Sequence, residues 1–308
     1  MSIEKYNICQ ICQENNPPEN HYWKIHGLSI KNYYEKFFPK KDLYDKSPIV
    51  FKTPEQYELT DFNIKTNLKK YLESKSKKEG LDYLKIWLLK RKKNKNLIYA
   101  PGEFECKSLC FPSIKFFNEY YGINFYENLC EEIGLKLKYN YNQKIIYNQI
   151  PKEILVDTRE SRPYIKLDLP IKISTLNFAD YCTNPNTQNI FYERKEITDF
   201  CGAMSKEYSR FERELERAKN NGAYIIILIE VKYSDLLSIE YLPQTKWVRA
   251  SSEFLMKRAR DLYLKFDNFQ MIAGGNRTEC INLLNKLVKI NDIQTFDIQY
   301  LINCKLII

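Results

Sequence analysis

The run AYIIILIEV at residues 223–231 constrains the fold more than any other stretch. Residues 225–229 are all isoleucine or leucine, so an extended chain there shows apolar side chains on both faces. A strand of that kind sits in the middle of a sheet with helices packed on both sides. The segments around it agree. EILVD (153–157), KISTLNF (172–178), NIFYERK (189–195) and residues 268–273 read as further strands. Residues 198–220, 251–265 and 277–290 have helical periodicity. The order is mixed at first and then alternates strand with helix, which predicts an α/β sandwich over residues 151–308.

The preceding half differs in charge. Residues 1–150 carry 25 basic and 18 acidic groups, and residues 151–308 carry 23 and 21. The first half is therefore suited to a polyanion, and the second reads as a balanced folded domain. Most of the excess lies in 69–95, KKYLESKSKKEGLDYLKIWLLKRKKNK, with 11 basic and three acidic residues. Leu81, Tyr83, Leu84, Trp87, Leu88 and Leu89 give this stretch an apolar side at helical spacing. The plain reading is a helix with a solvated basic face, but so much charge in one place also suits a phosphate backbone. Two short helices are expected within 113–139, the first capped by Ser113 and the second closed by Gly134. Such a pair is either a helix-turn-helix or an ordinary helical hairpin. The joint between the two halves is expected at 140–149. No stretch of about 18 uncharged apolar residues spans a membrane, and MSIEKYNICQICQ lacks the apolar core of a secretion signal. The expected location is intracellular, with the compartment open.

The acids of the second half gather where strands end. Asp157 and Glu160 follow the first strand, Asp180 follows the second, Glu193 lies in the third, and Asp199 opens the next helix. Alternation puts Glu193 and Lys195 on one strand face and Arg194 on the other. Carboxylates hold Mg²⁺ or Mn²⁺ as hard oxygen donors. Such an ion polarises a phosphoryl oxygen and acidifies a bound water. Beside them, a lysine positions that water or offsets developing charge. Taken singly, each acid reads as a strand-end salt bridge, and the case rests on several at the strand ends of one sheet.

Four ordered motifs within 153–231 resemble the nuclease domain of the XPF-type structure-specific endonucleases. They are Val156-Asp157-Thr158-Arg159-Glu160, Ala179-Asp180-Tyr181, Glu193-Arg194-Lys195 with Asp199, and Ile229-Glu230. Arg210, Phe211 and Glu214 also match the family's Arg-Phe-x-x-Glu helix. The resemblance implies a restriction-endonuclease-like mixed sheet flanked by helices, and metal-dependent cleavage of branched or distorted DNA. Asp180 and Glu193 match the metal-binding acids, and Asp157 the acid that completes the site. Lys195 matches the lysine that helps activate water. Arg159, Glu160, Arg194 and Asp199 match residues that shape the site, with the Arg194 carbonyl as a further metal donor. Ala179 replaces the family's glycine, and its methyl matters if that turn needs positive φ. Family members work as pairs of subunits, which implies a homodimer through this domain. No tandem helix-hairpin-helix pair is visible, so the basic stretch is expected to supply the DNA grip. Its residues are Lys69, Lys70, Lys77, Lys78, Lys90, Arg91, Lys92 and Lys93, with Arg210 beside the active site.

Cys9-x2-Cys12-x8-His21-x4-His26 has the ligand types of a two-Cys, two-His zinc site. Both histidines of the chain fall in this window. It resembles a short zinc finger followed by a helix in H-G-L-S-x-x-x-Y-Y. Four protein ligands leave no open position, so Zn²⁺ there is structural. The competing reading is unbound thiols. The expected organisation is a zinc finger and following helix (1–38), a basic, mostly helical DNA-binding domain (39–150) and a nuclease domain (151–308). Cys182, Cys201, Cys280 and Cys304 read as packing thiols, and so do Cys106 and Cys110 unless Cys130 and another thiol join them as metal ligands. The rival to an endonuclease is a non-catalytic DNA-binding or scaffold protein with a nuclease-like fold. A nuclease acting on RNA is a third reading.

Overall fold

A computed structural model describes residues 82, 84–86, 88, 89, 92, 98–109, 111–122, 124–147, 150–246 and 249–307. The Cys9, Cys12, His21 and His26 cluster lies outside these residues. So do Lys69, Lys70, Lys77, Lys78, Lys90, Arg91, Lys93 and Cys110.

Residues 82, 84–86, 88, 89 and 92 are helical, and three further helices follow them: α1 (Glu103–Ser108), α2 (Ile114–Tyr121) and α3 (Phe125–Glu132). Ser113 caps α2, its Oγ accepting from Phe116 N at 3.1 Å. Such a cap replaces one missing intrahelical partner. Gly134, at φ +67°, turns the chain after α3. Lys92 donates from Nζ to the carbonyls of Ile133 (3.1 Å) and Gly134 (2.9 Å). It therefore closes the C-terminal end of α3, where free carbonyls and the helix dipole favour a cation. The helices enclose a core that includes Leu84, Leu88, Phe111, Phe117, Tyr126 and Leu129. Glu131 and Glu132 are on the exposed side of α3, and Lys85 donates from Nζ to Glu132 Oε1 at 2.5 Å.

Six strands follow: β1 (Glu153–Asp157), β2 (Ile171–Ser174), β3 (Tyr181–Asn184), β4 (Ile190–Lys195), β5 (Tyr224–Ile229) and β6 (Phe269–Ala273). They form one sheet in the order β2-β1-β3-β4-β5-β6. β3 is antiparallel to both of its neighbours, and the other pairs are parallel. Helices α4 (Ile197–Ala203), α5 (Tyr208–Asn220) and α6 (Ser252–Lys265) cover one face. Helices α7 (Arg277–Leu287) and α8 (Ile298–Asn303) cover the other. In β5, Ile225, Ile227 and Ile229 pack toward the first face, and Ile226 and Leu228 toward the second. Each such side chain stabilises the fold by roughly 1.5–3 kcal/mol on burial. The α/β class with a mixed, helix-flanked sheet is as expected.

Three expectations need correction. The strand expected over 172–178 ends at Ser174, and Leu176 and Phe178 then turn into the core. A strand not foreseen, β3, follows Asp180. It has only four residues before Pro185, too few to show an alternation. The single helix expected over 198–220 is two. Ser205 donates from Oγ to the Cys201 carbonyl at 2.5 Å, competing with the helical ladder at a site already weakened by Gly202.

In the segment expected as a joint, 140–149, residues 140 and 146 are bonded to the sheet domain. Asn140 N donates to Thr295 O, and Asn291 N donates to Ile146 O. A deeper contact joins α1 to α8. Glu103 accepts from Ile114 N (2.7 Å), Asn303 Nδ2 (2.6 Å) and Tyr233 Oη (3.2 Å). Asp297 accepts from Glu103 N (2.6 Å) and Tyr141 Oη (3.0 Å). No helix among the described residues is long and apolar enough to cross a membrane.

Candidate active site

Register brings the acids together. Val156 pairs with Tyr181, and Tyr181 with Tyr192. One step further along lie Asp157, Asp180 and Glu193, in a row across β1, β3 and β4. The backbone ties the row, with Asp157 N donating to Asp180 O at 2.9 Å and Asp180 N to Tyr192 O at 3.1 Å. Neighbouring strands are about 4.8 Å apart, so like charges meet here at short range. All three acids line one cleft of about 210 Å³, whose far wall is α5 with Arg210, Phe211, Glu214 and Arg217.

Each acid has a distinct environment. Asp157 is 2% exposed. Its Oδ1 accepts from Arg159 N (2.8 Å) and Nε (2.6 Å), and its Oδ2 from Leu176 N (2.7 Å) and Arg159 Nη2 (3.1 Å). Burial pushes this carboxyl up, but the Arg159 side chain and the two amides outweigh burial and hold it below its ordinary range. Asp180 shows the reverse. Burial, then the neighbouring Glu193, pushes it up to about 8, although the Arg194 amide donates to its Oδ2 at 2.8 Å. A buried like-charge pair disfavours double ionisation. Lys195 Nζ donates to Glu193 Oε1 at 2.5 Å and lies 5.6 Å from the centre of the Phe211 ring. Burial alone would lower the lysine, but Glu193 carries it above its usual value.

Arg194 and Glu160 are on the opposite face. Arg194 Nε bonds Glu230 at 2.9 Å, its Nη2 bonds Glu196, and its Nη1 lies 3.8 Å from Glu160. Tyr164 Oη and Arg277 Nη1 also reach Glu230, at 3.2 and 3.3 Å. This ion network sits behind β4 and fixes the strand that carries Glu193 and Lys195. Glu196, Tyr164 and Arg277 were not foreseen, since only the fold brings residues 164 and 277 beside residue 194. Asp199 is exposed in the first turn of α4 and does not line the cleft. Arg210 lines it, paired with Glu214 (3.3 Å) and near Glu207 (3.7 Å). Phe178 and Arg217 are cleft residues that sequence reasoning missed, although Arg217 stands seven residues after Arg210, on the same side of a helix. Lys92 is spent on the α3 terminus, as described above. Cys106, Cys182, Cys201 and Cys280 are buried, as expected of packing thiols.

Among the described residues, no group of three or more His, Cys, Asp or Glu side chains is arranged to hold a metal ion. The donor chemistry of the acidic row still fits a hard divalent cation. Asp180 and Glu193 supply carboxylate oxygens, and a cation between them relieves the repulsion that raises Asp180. Asp157 can join them only by giving up Arg159.

Residues 156–287 match the ERCC4 domain family. Among solved structures, XPF from Aeropyrum pernix is similar at 18% identity, covering 44% of this chain and 59% of that chain, with a TM-score of 0.35. XPF from Aeropyrum pernix in complex with DNA is similar at 19% identity, covering 44% and 60%, with a TM-score of 0.32. The chain thus spans less than two thirds of the structures it matches. No curated protein matches it. All four motifs lie within the residues 156–287 that match the ERCC4 domain family.

Proposed function

We propose that this protein is a metal-dependent DNA endonuclease that hydrolyses phosphodiester bonds in branched or distorted DNA. The observation that carries this reading is the row Asp157, Asp180 and Glu193 in one cleft, with Lys195 held against Glu193. The ERCC4 match over 156–287 supports it.

Asp180 and Glu193 would hold Mg²⁺ or Mn²⁺, with the Arg194 carbonyl and, once released from Arg159, Asp157 as further donors. When bound, such an ion supplies Lewis acidity at a phosphoryl oxygen and lowers the pKa of a water. Lys195 is held against Glu193, which raises it above its usual value. Its role is to orient a water or a phosphate oxygen. Arg159 keeps Asp157 ionised and in place. Phe211 and Leu215 are among the apolar residues that line the cleft, and the Phe211 ring lies beside Lys195.

The proposal extends to a structural Zn²⁺ on Cys9, Cys12, His21 and His26, to DNA contacts along 69–95, and to pairing of two copies through the nuclease domain. It keeps the division into 1–38, 39–150 and 151–308. The test is a panel of forks, flaps, junctions, plain duplex, single strands and RNA, incubated with Mg²⁺ or Mn²⁺. Branched DNA is expected to be cut, and both chelation and Asp180→Asn are expected to stop cutting. Cutting that persists in chelator rejects metal dependence, and preference for RNA replaces the substrate class.

One observation favours a second reading, a DNA-binding scaffold: both oxygens of Asp157 are engaged by protein donors. Titration calorimetry with Mn²⁺ separates the two. Absence of uptake at millimolar concentration supports the scaffold.

A further inference from the structure

We propose that Arg217 binds a phosphate of the substrate strand at the rim of the acidic cleft, an assignment that rests on the nuclease reading above. The cleft is lined by Asp157, Asp180, Glu193 and Glu214, which together repel a polyanion. Three arginines line the same cleft, and they are not equivalent. Arg159 is spent on Asp157. Arg210 is flanked by Glu207 and Glu214. Arg217 makes no ion pair among the described residues. Its charge is thus the arginine charge in the cleft that no carboxylate offsets.

Arg217 is also held in place. Its guanidinium lies 5.1 Å from the centre of the Phe178 ring, and its Nη2 donates to Asn177 O at 3.1 Å. Phe178 is itself fixed edge-on against Phe191, with centroids 5.4 Å apart. A guanidinium has five N–H donors, and one is used here. The remainder, on an exposed side chain, are available to a planar, bidentate acceptor such as a phosphate. The platform residues Asn177 and Phe178 run directly into Ala179 and Asp180. A phosphate on Arg217 is therefore registered against the acidic row through three residues of backbone.

A basic residue in the last turn of α5 also suits the helix dipole. That role involves no nucleic acid, so the salt dependence of binding distinguishes the two. The experiment is fluorescence anisotropy of a labelled forked duplex, with full-length protein in chelator, over a range of salt. Arg217→Gln keeps a planar group on Phe178 and removes the charge. It is expected to weaken binding about five- to tenfold and to reduce the slope of log K against log salt by about one. Arg217→Lys keeps the charge and is expected to retain the slope. An Arg217→Gln protein with parental affinity and slope overturns the proposal. So does equal weakening by both variants with the slope unchanged, which marks a structural role. Parental protein that binds no nucleic acid rejects the nuclease reading itself, a result distinct from either.

Discussion

Ala179 has φ +52°, in the left-handed region, one residue before Asp180. A Cβ there costs about 1–2 kcal/mol, and glycine, the family's residue, avoids it. Ala179→Gly is expected to raise stability by roughly 1 kcal/mol, offset in part by added freedom of the unfolded chain. Thermal unfolding checks this, and an unchanged or lower midpoint contradicts it. Arg194 makes the opposite case. It is buried among Glu160, Glu196 and Glu230, so Arg194→Met removes the cation these three carboxylates share and leaves Glu230 with Arg277 and Glu196 with Arg162. The expected loss is about 3–5 kcal/mol, read by denaturant unfolding. A loss under 1 kcal/mol shows that the network is not a support. The pairing of Glu193 with Lys195 and the turning away of Arg194 were legible from strand alternation alone. Its partners Glu160 and Glu230 were not, because residues 160 and 230 reach it only through sheet order and helix packing.

The contact between α1 and α8 gives a pH prediction. Burial, then the nearby Asp297, raises Glu103 to about 7. Burial raises Asp297 to about 6 against the amides of Glu103 and Tyr300. Both folded values exceed the unfolded ones. The stability these acids contribute is therefore complete below the unfolded carboxylate range and is lost as pH rises through 6 and 7. Hydrogen exchange of α1 and α2 is expected to quicken across that window. Glu103→Gln is expected to flatten the response, and equal profiles for the two proteins contradict the assignment. Long apolar elements such as β5 were legible because the run allows one environment. The four-residue β3 and the break between α4 and α5 were not. The first is too short for a pattern, and the second depends on one serine side chain bonding back to the helix.

At the scale of the molecule, the sequence separated a basic half from a balanced one, and the α/β class of the second followed from its element order. How the helical part docks was hidden. Its ties, such as Glu103 N to Asp297, span 194 positions and show no local periodicity. The acidic row was legible as a set of motif residues. That Asp157, Asp180 and Glu193 share one register across three strands required β3. We propose above that this row and Lys195 cut DNA with a divalent ion. The most direct measurement compares the parent with Glu193→Gln on a forked duplex in Mg²⁺ or Mn²⁺, with binding measured in parallel. The expected result is a cleavage rate lower by about a hundredfold or more, with affinity for the fork within a factor of about two of the parent. Cleavage by Glu193→Gln at the parental rate contradicts the account.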